Sequence, residues 1–225
     1  MELLVHGHAG ARVLVFPTSL GRFHEWEDHG MCEALADQLE NGWLQLFCVD
    51  SVDAESWYAQ GKWPGDRAWR HELYDRYILH EVLPFTRQRN SNQFQIVTGA
   101  SFGAYHAVNF AFRHPHVIGR VLGMGGMYNI KELTAGYTDE NVFAHDPSHY
   151  MSHYYEASWY DAVRRIDIIL VIGRDDPHYQ DNVYLSNVLW SRGIWHAFRP
   201  WDGWAHDWPW WQQMVQRYIG GGGEA

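Results

Sequence analysis

Phe94-Gln95-Ile96-Val97-Thr98-Gly99-Ala100-Ser101-Phe102-Gly103, continued by residues 104–112, is the stretch that decides how the rest of this chain is read. Residues 94–98 are β-branched and apolar enough for a short buried strand. Residues 104–112 hold neither Gly nor Pro and are apolar almost all round, which suits a buried helix that Pro115 stops. Between them, residues 99–103 have the form Gly-x-Ser-x-Gly. Strand, pentapeptide and helix in that order predict a sharp turn that strains the Ser101 backbone and presents its hydroxyl as a nucleophile. Glycine is needed at both ends because a Cβ at either would collide with neighbouring backbone. The plainer reading is a turn whose serine merely caps a helix. The strand before it and the buried helix after it favour the nucleophile.

Outward from this centre, strand-like and helix-like runs alternate, which predicts an α/β fold with a mostly parallel central sheet flanked by helices. Strands are expected at 12–16, 44–49, 118–122, 166–172 and 195–199. Helices are expected at 27–40, closed by Asn41-Gly42, at 67–89 with a kink or end near Pro84, and at 181–192 and 208–219. Residues 123–165 are rich in Tyr, His and Gly and have no clean period. They read as an excursion over the sheet's C-terminal edge, forming a partial lid or pocket wall. Residues 1–219 are thus expected to form one domain, and the Gly-rich residues 220–225 a disordered tail.

Composition narrows the partners. The 225 residues are 46% hydrophobic, ample for a core, and carry a formal net charge of −10. That balance argues against nucleic acid and against an anionic membrane, since a phosphate-binding face needs clustered Lys and Arg. No apolar run approaches the ~18 residues of a membrane span. Residues 1–7 lack the basic start and apolar stretch of a signal peptide, so a cytoplasmic location is expected. Cys32 and Cys48 are the only cysteines and have no metal-ligand spacing, so they are expected to be reduced, buried thiols. The thirteen Trp either pack the core or line an aromatic cleft.

A serine hydroxyl needs a base to take its proton, and the base needs an acid to fix its tautomer. Behind a nucleophile of this kind the chain order is Ser, then Asp or Glu, then His, on loops that follow strands. The strand 166–172 leads into Gly173-Arg174-Asp175-Asp176-Pro177. Asp176 is the preferred acid, three residues past the glycine and stiffened by Pro177. Asp175 stays open as the alternative, or as a turn residue or a partner for Arg174. His206 is the only histidine after the last strand, and it is the expected base. Asp207 beside it is awkwardly aimed for pairing. An oxyanion hole needs two backbone N–H groups. Phe102 should supply one. The loop Pro17-Thr18-Ser19-Leu20-Gly21 should supply the other, from Ser19 first and Leu20 next.

These residues resemble the "putative esterase" family of α/β-hydrolases, the group of esterase D, S-formylglutathione hydrolase, enterochelin esterase and the antigen-85 acyltransferases. The likeness runs from VLVFPTSLGRFHEWED through DSVDAESWY and GASFGAYHAVNFAFRHP to GRDDP and GWAHDWPWW. It implies an α/β-hydrolase fold with no separate cap domain. It also implies a serine carboxylesterase that acts on a small-molecule ester without a cofactor, with Ser101 as nucleophile, Asp176 as acid and His206 as base. Pro17-Thr18 stands where relatives often have His-Gly or Asp-Gly. Two alternatives stand beside hydrolysis: acyl transfer to a sugar or alcohol acceptor, and a binding protein on the same fold without turnover.

Other groupings carry less. His145, His149 and His153 recur at spacing four near Asp146, but Pro147 interrupts any common helix face, so no metal is expected there. Trp57 and Tyr58 follow the strand 44–49 and are expected to wall the substrate pocket. Tyr128, Tyr137, Phe143, Tyr150, Tyr154, Tyr155, Trp159 and Tyr160 would give the 123–165 segment an aromatic, hydroxyl-rich wall. Such a wall suits a short acyl chain and a compact alcohol.

Overall fold

The computed structural model describes residues 1–154 and 156–220. Tyr155 and residues 221–225, most of the expected tail, lie outside the described residues. Seven strands form one sheet among the described residues: β1 (Leu3–His6), β2 (Ala11–Phe16), β3 (Leu44–Val49), β4 (Gln95–Ala100), β5 (Arg120–Met124), β6 (Asp167–Gly173) and β7 (Ala197–Trp201). Their spatial order is β1-β3-β2-β4-β5-β6-β7. Only β1 runs antiparallel to its neighbour, β3.

The inner strands are apolar throughout because helices cover both faces of the sheet. Successive residues of each strand alternate between two cores. Leu14, Phe47, Val97, Val121 and Leu170 face one core; Val15, Leu46, Ile96, Leu122 and Val171 face the other. On the second face lie three short helices, α1 (Glu25–Asp28), α2 (Met31–Ala34) and α3 (Ala36–Glu40). The sequence reading expected one helix over 27–40. Gly30 at φ 69° and Leu35 at φ −108°, ψ 16° break it.

The first face carries α4 (Pro64–Tyr77), a π-helical turn over Ile78–Val82, α5 (Leu83–Arg89) and α6 (Phe102–Arg113). The π turn ends two residues before Pro84, whose ring and missing N–H a regular turn would not accommodate. The expected kink is therefore a widened turn, and the helical path continues through it. Every residue of α6 from Phe102 to Phe112 is buried, as its unbroken apolar surface demands.

After β5, the described residues up to 165 include three short helices, α7 (Glu140–Phe143), α8 (Pro147–His153) and α9 (Ala157–Val163). Asp139 and Asp146 cap α7 and α8 with side-chain oxygens. Helices α10 (Tyr179–Ser191) and α11 (Trp208–Tyr218) complete the chain order. No separate cap domain stands over the sheet among the described residues. The strand β1 was not anticipated: four residues on a sheet edge leave almost no pattern to read.

Candidate active site

Six parallel strands, β2 to β7, end on one edge of the sheet, so the loops that follow them meet there. Ser101 occupies the turn from β4 into α6 with φ 54° and ψ −122°. A non-glycine residue there stores roughly 1–3 kcal/mol of strain. A Cβ on Gly99 would lie 2.3 Å from the Gly103 carbonyl carbon, and one on Gly103 would lie 2.4 Å from the Phe16 oxygen. Both glycines are thus dictated by close backbone approach. The Ser101 N–H donates to the Met124 carbonyl at 2.8 Å, tying the turn to the end of β5.

His206 lies in the loop between β7 and α11. Its Nε2 is 3.1 Å from Ser101 Oγ, and its Nδ1 is 2.6 Å from Asp176 Oδ2. With Nδ1–H donated to the carboxylate, Nε2 is left to accept the serine proton. The Asp176 carboxylate is buried, and its other oxygen accepts the His178 N–H at 2.8 Å. Trp211 meets the His206 ring edge-on, with centroids 5.2 Å apart. Asp175 is exposed and joins the fold through its N–H to the Gly203 carbonyl; Arg174 pairs with Asp202. Asp207 caps α11 by accepting the Trp208 N–H.

The loop after β2 is clamped from two sides. Glu25 accepts the Thr18 N–H and the Thr18 hydroxyl, both at 2.7 Å. Asp53 accepts the Leu20 N–H at 3.1 Å with one oxygen and binds His106 Nε2 at 2.9 Å with the other. Gly21 N–H donates to the Thr18 carbonyl. In the turn 18–21, therefore, only the Ser19 N–H lacks an acceptor among the described residues. The Phe102 N–H, first in α6, also has no intrahelical acceptor. Leu20, the second choice for the oxyanion donor, has its amide already engaged.

Trp57 and Tyr58 part company. Trp57 is 1% exposed and packs against His71, Tyr105 and His145, so it has no face to offer a substrate. Tyr58 lies edge-on to Phe102, and its hydroxyl meets Ser19 Oγ at 2.8 Å. Much of the expected aromatic wall is core: Tyr128, Tyr150 and Tyr160 are buried. His145 is buried too, bonded to Glu72 and Asn109, while the His149 and His153 rings meet edge-on. A cleft of about 430 Å³ opens beside the Asp176 loop, between Met127, Lys131, His178 and Tyr184. Sequence reasoning missed Asp53, Glu25 and Trp211, because their roles arise from contact across the fold and no local pattern marks them.

A mostly parallel sheet with a strained serine on its central strand's C-terminal turn defines the class as α/β-hydrolase. The chain belongs to the family described as "Putative esterase", whose sequence model matches residues 23–218, and it is a hydrolase of ester bonds. Among curated proteins, none matches the chain by sequence. Solved structures share its fold. A ferulic acid esterase superposes with TM-score 0.71 at 16% identity, over 94% of this chain and 84% of that one. The S-formylglutathione hydrolase of Staphylococcus aureus gives 0.67 at 20% identity, over 95% and 81%. MPT51 of Mycobacterium tuberculosis gives 0.63 at 17% identity, over 95% and 89%. No described helix is long and apolar enough to cross a membrane.

Proposed function

We propose that this enzyme hydrolyses small carboxylic esters through a catalytic triad of Ser101, His206 and Asp176. The reading is carried by one observation: His206 bridges Ser101 Oγ and Asp176 Oδ2 at 3.1 and 2.6 Å, joining loops from three separate strands. His206 Nε2 takes the hydroxyl proton as Ser101 Oγ attacks the ester carbonyl. Asp176 holds the imidazole in its working tautomer and stabilises the imidazolium. The N–H groups of Phe102 and Ser19 receive the oxyanion of the tetrahedral intermediate. The imidazolium then protonates the departing alcohol, leaving an acyl group on Ser101. Water, deprotonated by His206, releases the acid and restores the serine.

The helices between β5 and β6 have only four to seven residues and form no long amphipathic lid among the described residues, which supports a compact substrate over a lipid. A fluorophosphonate probe tests the assignment. Wild-type protein should be labelled at Ser101 and lose activity in step. Ser101→Ala should escape labelling and lose roughly 10⁶ in kcat. Activity of the pure Ser101→Ala protein within tenfold of wild type would refute the nucleophile. Labelling without ester turnover would favour transfer to another acceptor.

A further inference from the structure

Far from the loops that carry Ser101, the antiparallel edge strand creates a second cluster. β1 pairs with β3 so that Leu4 opposes Cys48 and His6 opposes Leu46. Residues two apart on a strand share a face, so His6 and Cys48 lie on the same side of the sheet. That side is the one covered by α2, which carries Cys32. One ligand atom from each of His6, Cys32 and Cys48 lies within 4.8 Å of the other two. Cys48 is buried, and Cys32 and His6 are half-buried.

We propose that His6, Cys32 and Cys48 bind a thiophilic divalent cation of the zinc type, as a structural site independent of ester hydrolysis. Two sulfurs and an imidazole are the donor set that such an ion prefers. Metal–sulfur bonds of about 2.3 Å and a metal–nitrogen bond of about 2.0 Å require ligand atoms roughly 3.5–4 Å apart in a tetrahedron. The three ligand atoms, all within 4.8 Å of one another, lie close to that spacing. Water completes the fourth position.

A second observation points the same way. His6 Nε2 is sealed from solvent and has no hydrogen-bond partner among the described residues. An orphaned imidazole nitrogen beside two thiols costs stability unless something accepts its lone pair or its proton. Metal binding displaces the thiol protons of Cys32 and Cys48 to solvent, together with any proton on the ligating His6 nitrogen, and forms three coordinate bonds without a change of oxidation state.

The site would tie the edge strand β1 to β3 and to α2. Helix α2 in turn packs on α11, the helix that follows the His206 loop. The three ligands stand on the far side of β2 from β4, so their variants should keep esterase activity and report only on metal.

The test uses the full chain, kept reduced, with Co²⁺ and Zn²⁺ as probes and ester turnover as the folding control. Co²⁺ should bind one equivalent with a near-ultraviolet thiolate-to-cobalt band, and Zn²⁺ should displace it. Zn²⁺ at about a hundred times its Kd should raise Tm by roughly 5–10 °C. Cys32→Ser and His6→Gln, both at half-buried positions, should lose the band and the Tm rise while keeping activity. Absence of the band in reduced wild-type protein would overturn the proposal. So would a band or Tm rise that survives in either variant, since donors other than this set of three then account for the binding.

Discussion

Asp176 and Asp175 are neighbours in sequence with opposite surroundings. Asp176 is buried and accepts His206 Nδ1–H at 2.6 Å; Asp175 is exposed and held only through its backbone. Asp176→Asn should therefore lose about 10⁴ in kcat, because an amide stabilises the wrong imidazole tautomer. Asp175→Asn should lose less than tenfold. Steady-state kinetics on an activated acetate ester decide between them, and the reverse ranking would move the acid to Asp175. Asp53 acts at one remove. Its carboxylate holds the Leu20 N–H and His106, both donors, so an amide in its place turns an N–H toward one of them. The turn proposed to hold the oxyanion should shift, lowering kcat of Asp53→Asn by about 10–100-fold with KM little changed. An unchanged kcat would show that Asp53 does not position the turn.

Helix α6 shows how an element can be legible while its partners are not. Its apolar surface predicts burial, and it is buried. Its polar residues needed partners that only packing supplies: Tyr105 donates to the His145 carbonyl, Asn109 meets His145 Nδ1, and Arg113 donates to Glu72 and to the Ala144 carbonyl. Behind it, on α4, His71 is buried against Trp57, Tyr105, His106 and His145. Burial lowers its pKa well below 6.5, helped by His145, His106, Arg113 and Arg70. A histidine whose folded pKa is depressed stabilises the fold fully above its unfolded value, near 6.5, and loses that contribution as pH falls toward the folded value. Asp146, raised to about 6 chiefly by burial, works in the opposite sense between about 4 and 6. The comparison must therefore be made within one background. The Tm of His71→Phe, relative to wild type, should rise on going from pH 7.5 to 5.5. Parallel Tm curves for the two proteins would remove His71 as a source of acid sensitivity.

At the scale of the whole molecule, the sheet gathers six strand ends on one edge, and no separate cap covers them among the described residues. The excursion over 123–165 contains helices of only four to seven residues, none a long amphipathic lid. A lipase channel would add about 0.8 kcal/mol of binding for each buried methylene and reward long chains steeply. Here kcat/KM on p-nitrophenyl esters should peak at acyl chains of roughly two to four carbons, since no described helix of that excursion is long enough to cover a lipid chain. Rates that climb to palmitate, or that jump above the micelle concentration, would contradict this.

What the sequence by itself determined was local or ordered along the chain. The elbow glycines follow from sterics within five residues. The order of the proposed triad, Ser101, Asp176, His206, follows from strands read as continuous apolar runs, because an inner parallel strand must be apolar on both faces. Tertiary structure decided whatever depends on contact between distant residues. It added the edge strand β1 and broke the expected 27–40 helix at Gly30. It buried Trp57 and left Tyr58 bonded to Ser19, although the two are adjacent in sequence. It set Glu25 and Asp53 on either side of Ser19, and it brought His6 to two cysteines whose spacing predicted nothing. Periodicity and sterics act between near neighbours in the chain. Hydrogen bonding and coordination act between neighbours in space, and only the packed sheet determines which residues those are.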